Sequence, residues 1–138
     1  MAVYEVNGLH EAPVTNVVDP GTYHVSILDM EVGTSKEKGT LFYKFTFSIL
    51  GGPIQQSSGR EPIGRHIINT IYIPVSGEGT LIGLGKFKRL CKAVGYEVPE
   101  NNLIDDEYLI GRELLINVKH REYQGEPREE VTSYKAVG

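Results

Sequence analysis

Flat rings and cations recur together at two-residue spacing in this sequence. Phe42 stands two residues before Lys44, and Lys119, Arg121 and Tyr123 follow one another at the same step. His66 and Tyr72 share the parity of a third run, while Lys36, Lys38 and Arg128 lie at the polar ends of such runs. An aromatic face stacks on another flat π-system, and a Lys or Arg neutralises an oxyanion. Side chains two apart on a strand point the same way, so this spacing could present both kinds of group on one surface.

Covalent chemistry has far less to work with. Gly77, Gly79, Gly83 and Gly85 suggest a phosphate loop, but the dinucleotide pattern needs glycine where Ile82 stands. The P-loop pattern needs glycine at Thr80 and Ser or Thr at Phe87. Asp105-Asp106-Glu107 reads as the cap of a short helix in an acidic linker rather than a cation site. His10, His24, His66 and His120 are scattered without the spacing of metal ligands. No Ser, Cys or His stands in a nucleophile motif. An enzyme is therefore not expected, and neither is a cofactor or a metal.

Charge narrows the ligand classes without choosing among them. The net charge of −4 argues against a polyanion, yet a ligand responds to the local field of one face. Basic residues dominate from Arg60 to Lys92, with only Glu61 and Glu78 against them, and acidic residues dominate from Ala93 to Glu113. Cys91 is the lone cysteine, so no disulfide closes within the chain, which suits a cytoplasmic setting. Met1 to Glu5 lack the basic start of a secretory signal, and no apolar run has the length of a membrane span.

The elements that must position the rings follow from periodicity. Residues 1–20 read as an N-terminal extension and 21–138 as one domain, with a turn at Asp19-Pro20-Gly21. A strand is expected over Tyr23 to Val32, with Tyr23, Val25 and Ile27 on one face and Leu28 and Met30 on the other. Leu41 to Leu50 alternates most clearly, so Phe42, Lys44, Thr46 and Ser48 look outward while Tyr43, Phe45, Phe47 and Ile49 fill a core. A connector from Gly51 to Pro62 offers nothing for the core, and a third strand runs from about Gly64 to Ile73, with Asn69 on its core side.

The period then lengthens. Leu81, Leu84, Phe87, Leu90, Cys91 and Val94 recur at helical steps, capped by Thr80 and stopped by Gly95. In this helix Cys91 reads as a small core residue, and Lys86, Lys88 and Arg89 as a solvated face. Two last strands are expected over Arg112 to Tyr123 and Arg128 to Ala136, joined by a hairpin at Gln124-Gly125-Glu126-Pro127. Three strands, a helix and two strands match a five-stranded Greek-key barrel of the oligonucleotide/oligosaccharide-binding (OB) type, an all-β fold whose helix lies between strands three and four.

In such a barrel the outward face of strands two and three, flanked by loops, is the usual ligand surface. The expected contacts are Phe42, Tyr72 and Tyr123 as stacking platforms, with His66 beside them. Lys36, Lys38, Lys44, Lys119, Arg121 and Arg128 would neutralise phosphates. Each ring could equally cover a neighbour, and each lysine could pair with an acid.

The run Gly21-Thr22-Tyr23, Ser35-Lys36 before a long apolar strand, and Gly64-Arg65-His66 resemble phage and prophage single-stranded DNA-binding proteins. Phe87 to Gly95 is similar to that family's helix, and Leu109 to Glu113 and Val131 to Tyr134 to its last two strands. The resemblance covers Gly21 to Tyr134. It implies an OB-fold protein that coats single strands in phage DNA replication or recombination, without catalysis; the outward rings and cations would accept RNA as an alternative ligand. Homo-oligomers, cooperative self-contacts on DNA and replication or recombination proteins are the partners it implies. The familiar bacterial and some phage single-strand binders end in an acidic tail that recruits partners, whereas Tyr134 to Gly138 here is not acidic. The alternative is a protein-interaction module on the same fold, a replication accessory or virion component that never touches DNA.

Overall fold

The computed structural model describes residues 2–7, 17–36, 39–56, 58–75 and 77–137. Five strands form one antiparallel sheet: β1 (Gly21–Thr34), β2 (Leu41–Gly51), β3 (His66–Ile73), β4 (Glu113–Tyr123) and β5 (Glu126–Lys135). Their order is β3-β2-β1-β4-β5, with helix α1 (Glu78–Ala93) between β3 and β4. The sheet curls until β3 lies beside β5, and α1 packs on both. This is an all-β, OB-like barrel with the expected element order. No helix among the described residues is long and apolar enough to cross a membrane.

Alternation decides what fills the barrel. Tyr23, Val25 and Ile27 from β1, Phe45, Phe47 and Ile49 from β2, and Leu114, Ile116 and Val118 from β4 are all buried. From α1, Phe87 enters edge-on to the rings of Tyr43 and Phe45, at 4.6 and 5.8 Å between centroids. Burying such side chains is worth roughly 1.5–3 kcal/mol each, so the parity of β2 is strongly specified. Cys91 is buried in this core, and burial pushes its thiol up to about 11, which leaves it inert near neutral pH.

Four local readings need correction. A register shift between Ile27 and Asp29 inserts a bulge in β1, which reverses the parity beyond it. Met30 therefore packs against the core, and Glu31 takes the outward position. The connector after β2 does contribute to the interior. Gln55 is buried, donates to the Tyr23 hydroxyl and the Pro53 carbonyl, and accepts from the Asp19 amide. Thr80 does not cap α1; Gly77 does, while the Thr80 hydroxyl donates to the Pro74 carbonyl.

The fourth correction concerns the first half of α1. Leu81 and Leu84 are exposed rather than inward, and Gly83 is buried in their place. The reason is steric: a Cβ at position 83 would collide with the main-chain carbonyl of Tyr72. The helix approaches β3 through its smallest residue and leaves the neighbouring leucines outside. Only from Phe87 onward does the helix bury its large side chains.

Connections agree with local chemistry. Gln124 and Gly125 both take positive φ, at 51° and 80°, the two-residue turn that suits a right-twisted hairpin. The acidic linker forms a short helix α2 (Asp106–Leu109), whose N-cap Asp105 accepts from the Glu107 amide at 3.0 Å. Of the segment read as an extension, Val18 is fully buried. Its amide donates to Glu129 at 2.7 Å, and its carbonyl accepts from His120 Nε2 at 2.6 Å.

Candidate functional site

Antiparallel register places outward side chains of β1, β2 and β3 in rows across the sheet. One row is Gly33, Phe42 and Tyr72; the next is Glu31, Lys44 and Thr70; then follow Asp29, Thr46 and Ile68. Phe42 and Tyr72 are directly opposed, with ring centroids 6.3 Å apart and planes tilted by 53°. Tyr72 is 58% exposed, while Phe42 is half-buried. The outward parity expected for both is therefore correct, and they form a ring pair on the barrel surface.

Gly33 explains the pose of Phe42, and parity alone would have missed it. The Phe42 ring lies across the glycine, where a Cβ would come within 2.6 Å of its tip. The bulge at Leu28 puts residue 33 on the outward side, so the glycine becomes the floor beneath the ring. One face of Phe42 is spent on that floor, which leaves the Tyr72 ring as the more accessible platform.

The cations expected here are arranged differently. Lys44 sits opposite Glu31, with Nζ 4.0 Å from Oε2, so its charge is partly answered within the sheet. That partner was hidden from the sequence because the bulge changes the parity of Glu31. His66 lies opposite Ser48 at the far end of β3 from Tyr72, about 20 Å away at the usual strand rise. Lys36 is exposed in the β1–β2 hairpin, and Lys38 lies outside the described residues.

The remaining candidates form a second cluster on the β4–β5 hairpin. Lys119 faces Glu130, Arg121 faces Arg128, and Tyr123 faces Glu126. The Arg128 guanidinium stands 5.8 Å from the Tyr123 ring centroid, within reach of a cation–π contact. Arg121 and Arg128 are like charges directly across an antiparallel pair, an arrangement that destabilises a sheet unless an anion answers it. The alternate residues, His120 and Glu129, turn the other way and hold Val18.

The two clusters are not contiguous along the sheet. Gly33 and Gly21 mark the two ends of β1, about 40 Å apart along the strand, and Gly21 pairs with Val118. The structure thus brings Phe42, Tyr72 and Lys44 together, and separately Arg121, Tyr123 and Arg128. The rings of the first face and the cross-strand arginines of the second are the arrangement's two chemical resources. Among the described residues, no group of three His, Cys, Asp or Glu could hold a metal ion.

A third feature had no clear signal in the sequence. The cleft between α1 and residues 95–104 has a volume of about 1040 Å³ and is walled by Tyr43, Phe87, Tyr96, Val98 and Ile104. Its loop side is braced by Tyr96 against Tyr108, 4.9 Å between centroids, and by Arg112, whose guanidinium lies 3.9 Å over the Tyr108 ring.

Comparison with known proteins yields one family. The model of DUF669, described as a protein of unknown function, matches residues 4–137. None of the curated proteins matches the chain.

Proposed function

The chain belongs to the DUF669 family, described as proteins of unknown function, and from its own surface we propose that it binds single-stranded DNA with little regard to sequence. In this proposal it is a cytoplasmic, non-catalytic protein, of phage origin, that coats single strands in replication or recombination. The observation that carries it is the opposed pair Phe42 and Tyr72 on the outer face of β2 and β3. Unstacked bases regain stacking on such rings, at about 1–3 kcal/mol per base, and every base has a flat face to offer. Arg121 and Arg128 supply the phosphate contacts that the ring face lacks. The resemblance to phage single-strand binders supports the same reading.

One observation favours the rival, a protein-interaction module. Asp29 and Glu31 lie on the ring face, and Glu31 answers Lys44. A face so charged repels a polyanion unless the strand also reaches the β4–β5 hairpin. Titration of labelled oligo-dT and of duplex DNA separates the two. Single-strand binding should weaken steeply as salt rises, because phosphate contacts release counterions. Replacing Phe42 and Tyr72 by alanine should weaken it further without unfolding the barrel. No retardation at micromolar protein and low salt would leave the protein-interaction module as the better account.

A further inference from the structure

The outward face of β1, β4 and β5 carries a small polar pocket of about 200 Å³. Register builds it. Thr22 pairs with Asn117 and Asn117 with Ser133, so three short polar side chains form one row, while Lys135 stands opposite Leu115 in the next. Short side chains beside longer ones leave a depression. Thr132 is the unpaired residue of a bulge in β5, and it anchors the row. Asn117 Nδ2 donates to its hydroxyl at 3.1 Å, and that hydroxyl donates to the Asn117 carbonyl at 3.3 Å.

The donors left over suit an anion. Among the described residues, the Thr22 and Ser133 hydroxyls and the Lys135 ammonium have no hydrogen-bond or ion-pair partner, and Asn117 keeps one amide hydrogen. No carboxylate lines the pocket. Glu113, on the same outward parity of β4, lies 2.7 Å from His24 Nε2. Neutral donors grouped around one cation match an oxyanion, whereas a neutral sugar would leave the ammonium unanswered. Beyond the pocket the outward positions of β4 continue as Lys119 and Arg121, at about 7 Å per step. Glu130 faces the first of these and Arg128 the second.

We propose that this pocket holds one phosphodiester of a bound single strand, which then runs along β4 toward Arg121 and Arg128. Lys135 neutralises the oxyanion, while Thr22, Ser133 and Asn117 donate to its oxygens. Phosphates recur regularly along a single strand, so a row of donors on one β-strand can engage several in turn. The inference rests on the DNA-binding reading and adds to it a built contact away from the rings. Free inorganic phosphate shares the chemistry, and the experiment separates the two sources.

Oligo-dT titration of the full chain over a range of salt concentrations tests it. Lys135→Gln, at an exposed position, should lower the slope of log affinity against log salt by about 0.7, the share of one single-strand phosphate. The double variant T22V/S133A should bind roughly tenfold more weakly with its slope unchanged, because it removes neutral donors to a charged group. Circular dichroism of both should match the wild type. In NMR spectra of the wild type, oligo-dT should move the backbone amides of Thr22, Asn117 and Ser133. Wild-type affinity and slope in both variants would overturn the pocket while leaving DNA binding intact. Amides that move with inorganic phosphate but not with oligo-dT would assign the pocket to free phosphate and overturn the path along β4. A wild-type chain that binds no oligo-dT overturns the DNA-binding reading and this inference with it.

Discussion

Asn69 on β3 donates its side-chain amide to the Tyr134 hydroxyl on β5, joining the two edge strands of the sheet. Asn69 occupies a core-side position opposite Phe45, where an apolar residue would be expected from alternation alone. Its polarity is explained by the seam: the barrel closes there through side chains. Burial pushes the Tyr134 hydroxyl up to about 12 despite the Asn69 bond and the nearby Arg89.

A raised folded value means that the folded protein holds this proton more tightly than the unfolded chain. The associated stability is complete below the ordinary value of 10.0 and is lost as pH rises toward about 12. Tyr134→Phe should cost about 0.5–1.5 kcal/mol at neutral pH through the lost hydrogen bond. It should also flatten the alkaline fall in denaturant midpoint over that window. Tyr23, whose hydroxyl is likewise raised by burial, should account for part of what remains.

Glu129 grips Val18 from inside the hairpin, and burial raises its carboxyl above the ordinary value, only partly offset by the Val18 amide, Arg65 and His120. A raised carboxyl contributes stability present below its unfolded value and lost as pH rises through its folded value. Glu129→Gln keeps an acceptor for the Val18 amide without the charge. The variant should therefore gain on the wild type as pH rises from acid to neutral in thermal melts. Glu129→Ala removes the acceptor and should lose about 1–3 kcal/mol at neutral pH.

Two glycines of α1 should respond oppositely to alanine. At Gly85 an added Cβ meets only the end of the Arg89 side chain at 3.5 Å, so helix propensity should prevail and stabilise by up to about 1 kcal/mol. At Gly83 the Cβ would strike the Tyr72 carbonyl, and the helix must lift from β3. Overpacking of that kind costs about 1–3 kcal/mol or more, which outweighs the propensity gain. Urea denaturation of the two variants reads the sign directly.

Gly33→Ala should displace the Phe42 ring while leaving the buried parity of β2 intact. If that ring carries bases, the variant should lose oligo-dT affinity much as Phe42→Ala does. Unchanged affinity alongside a weakened Tyr72→Ala variant would assign the stacking to Tyr72 alone.

Arg121→Ser and Arg128→Ser each remove half of a like-charged cross-strand pair. On the DNA-binding reading, each should lower the slope of log affinity against log salt by roughly one or less. Arg121→Ser should not lower the melting temperature, since the pair repels in the absence of an anion, whereas Arg128→Ser also gives up its place beside the Tyr123 ring. A slope equal to wild type in both would remove the hairpin from the interface.

Alternation and turn chemistry by themselves determined the element order, the buried side of β2 and the outward pose of Phe42 and Tyr72. These are local rules, set by side-chain period and by residues such as Gln124-Gly125 that accept positive φ. Partnerships across the sheet were not legible, because one inserted residue near Leu28 reverses which side of β1 faces out. That reversal put Glu31 beside Lys44 and Gly33 beneath Phe42. Only the tertiary structure decided that Gly83 faces the barrel in place of Leu81 and Leu84, since the obstacle is a carbonyl from another element. It alone decided, too, that the rings and the paired arginines occupy different ends of β1, because strand register sets such distances and no spacing within one strand encodes it.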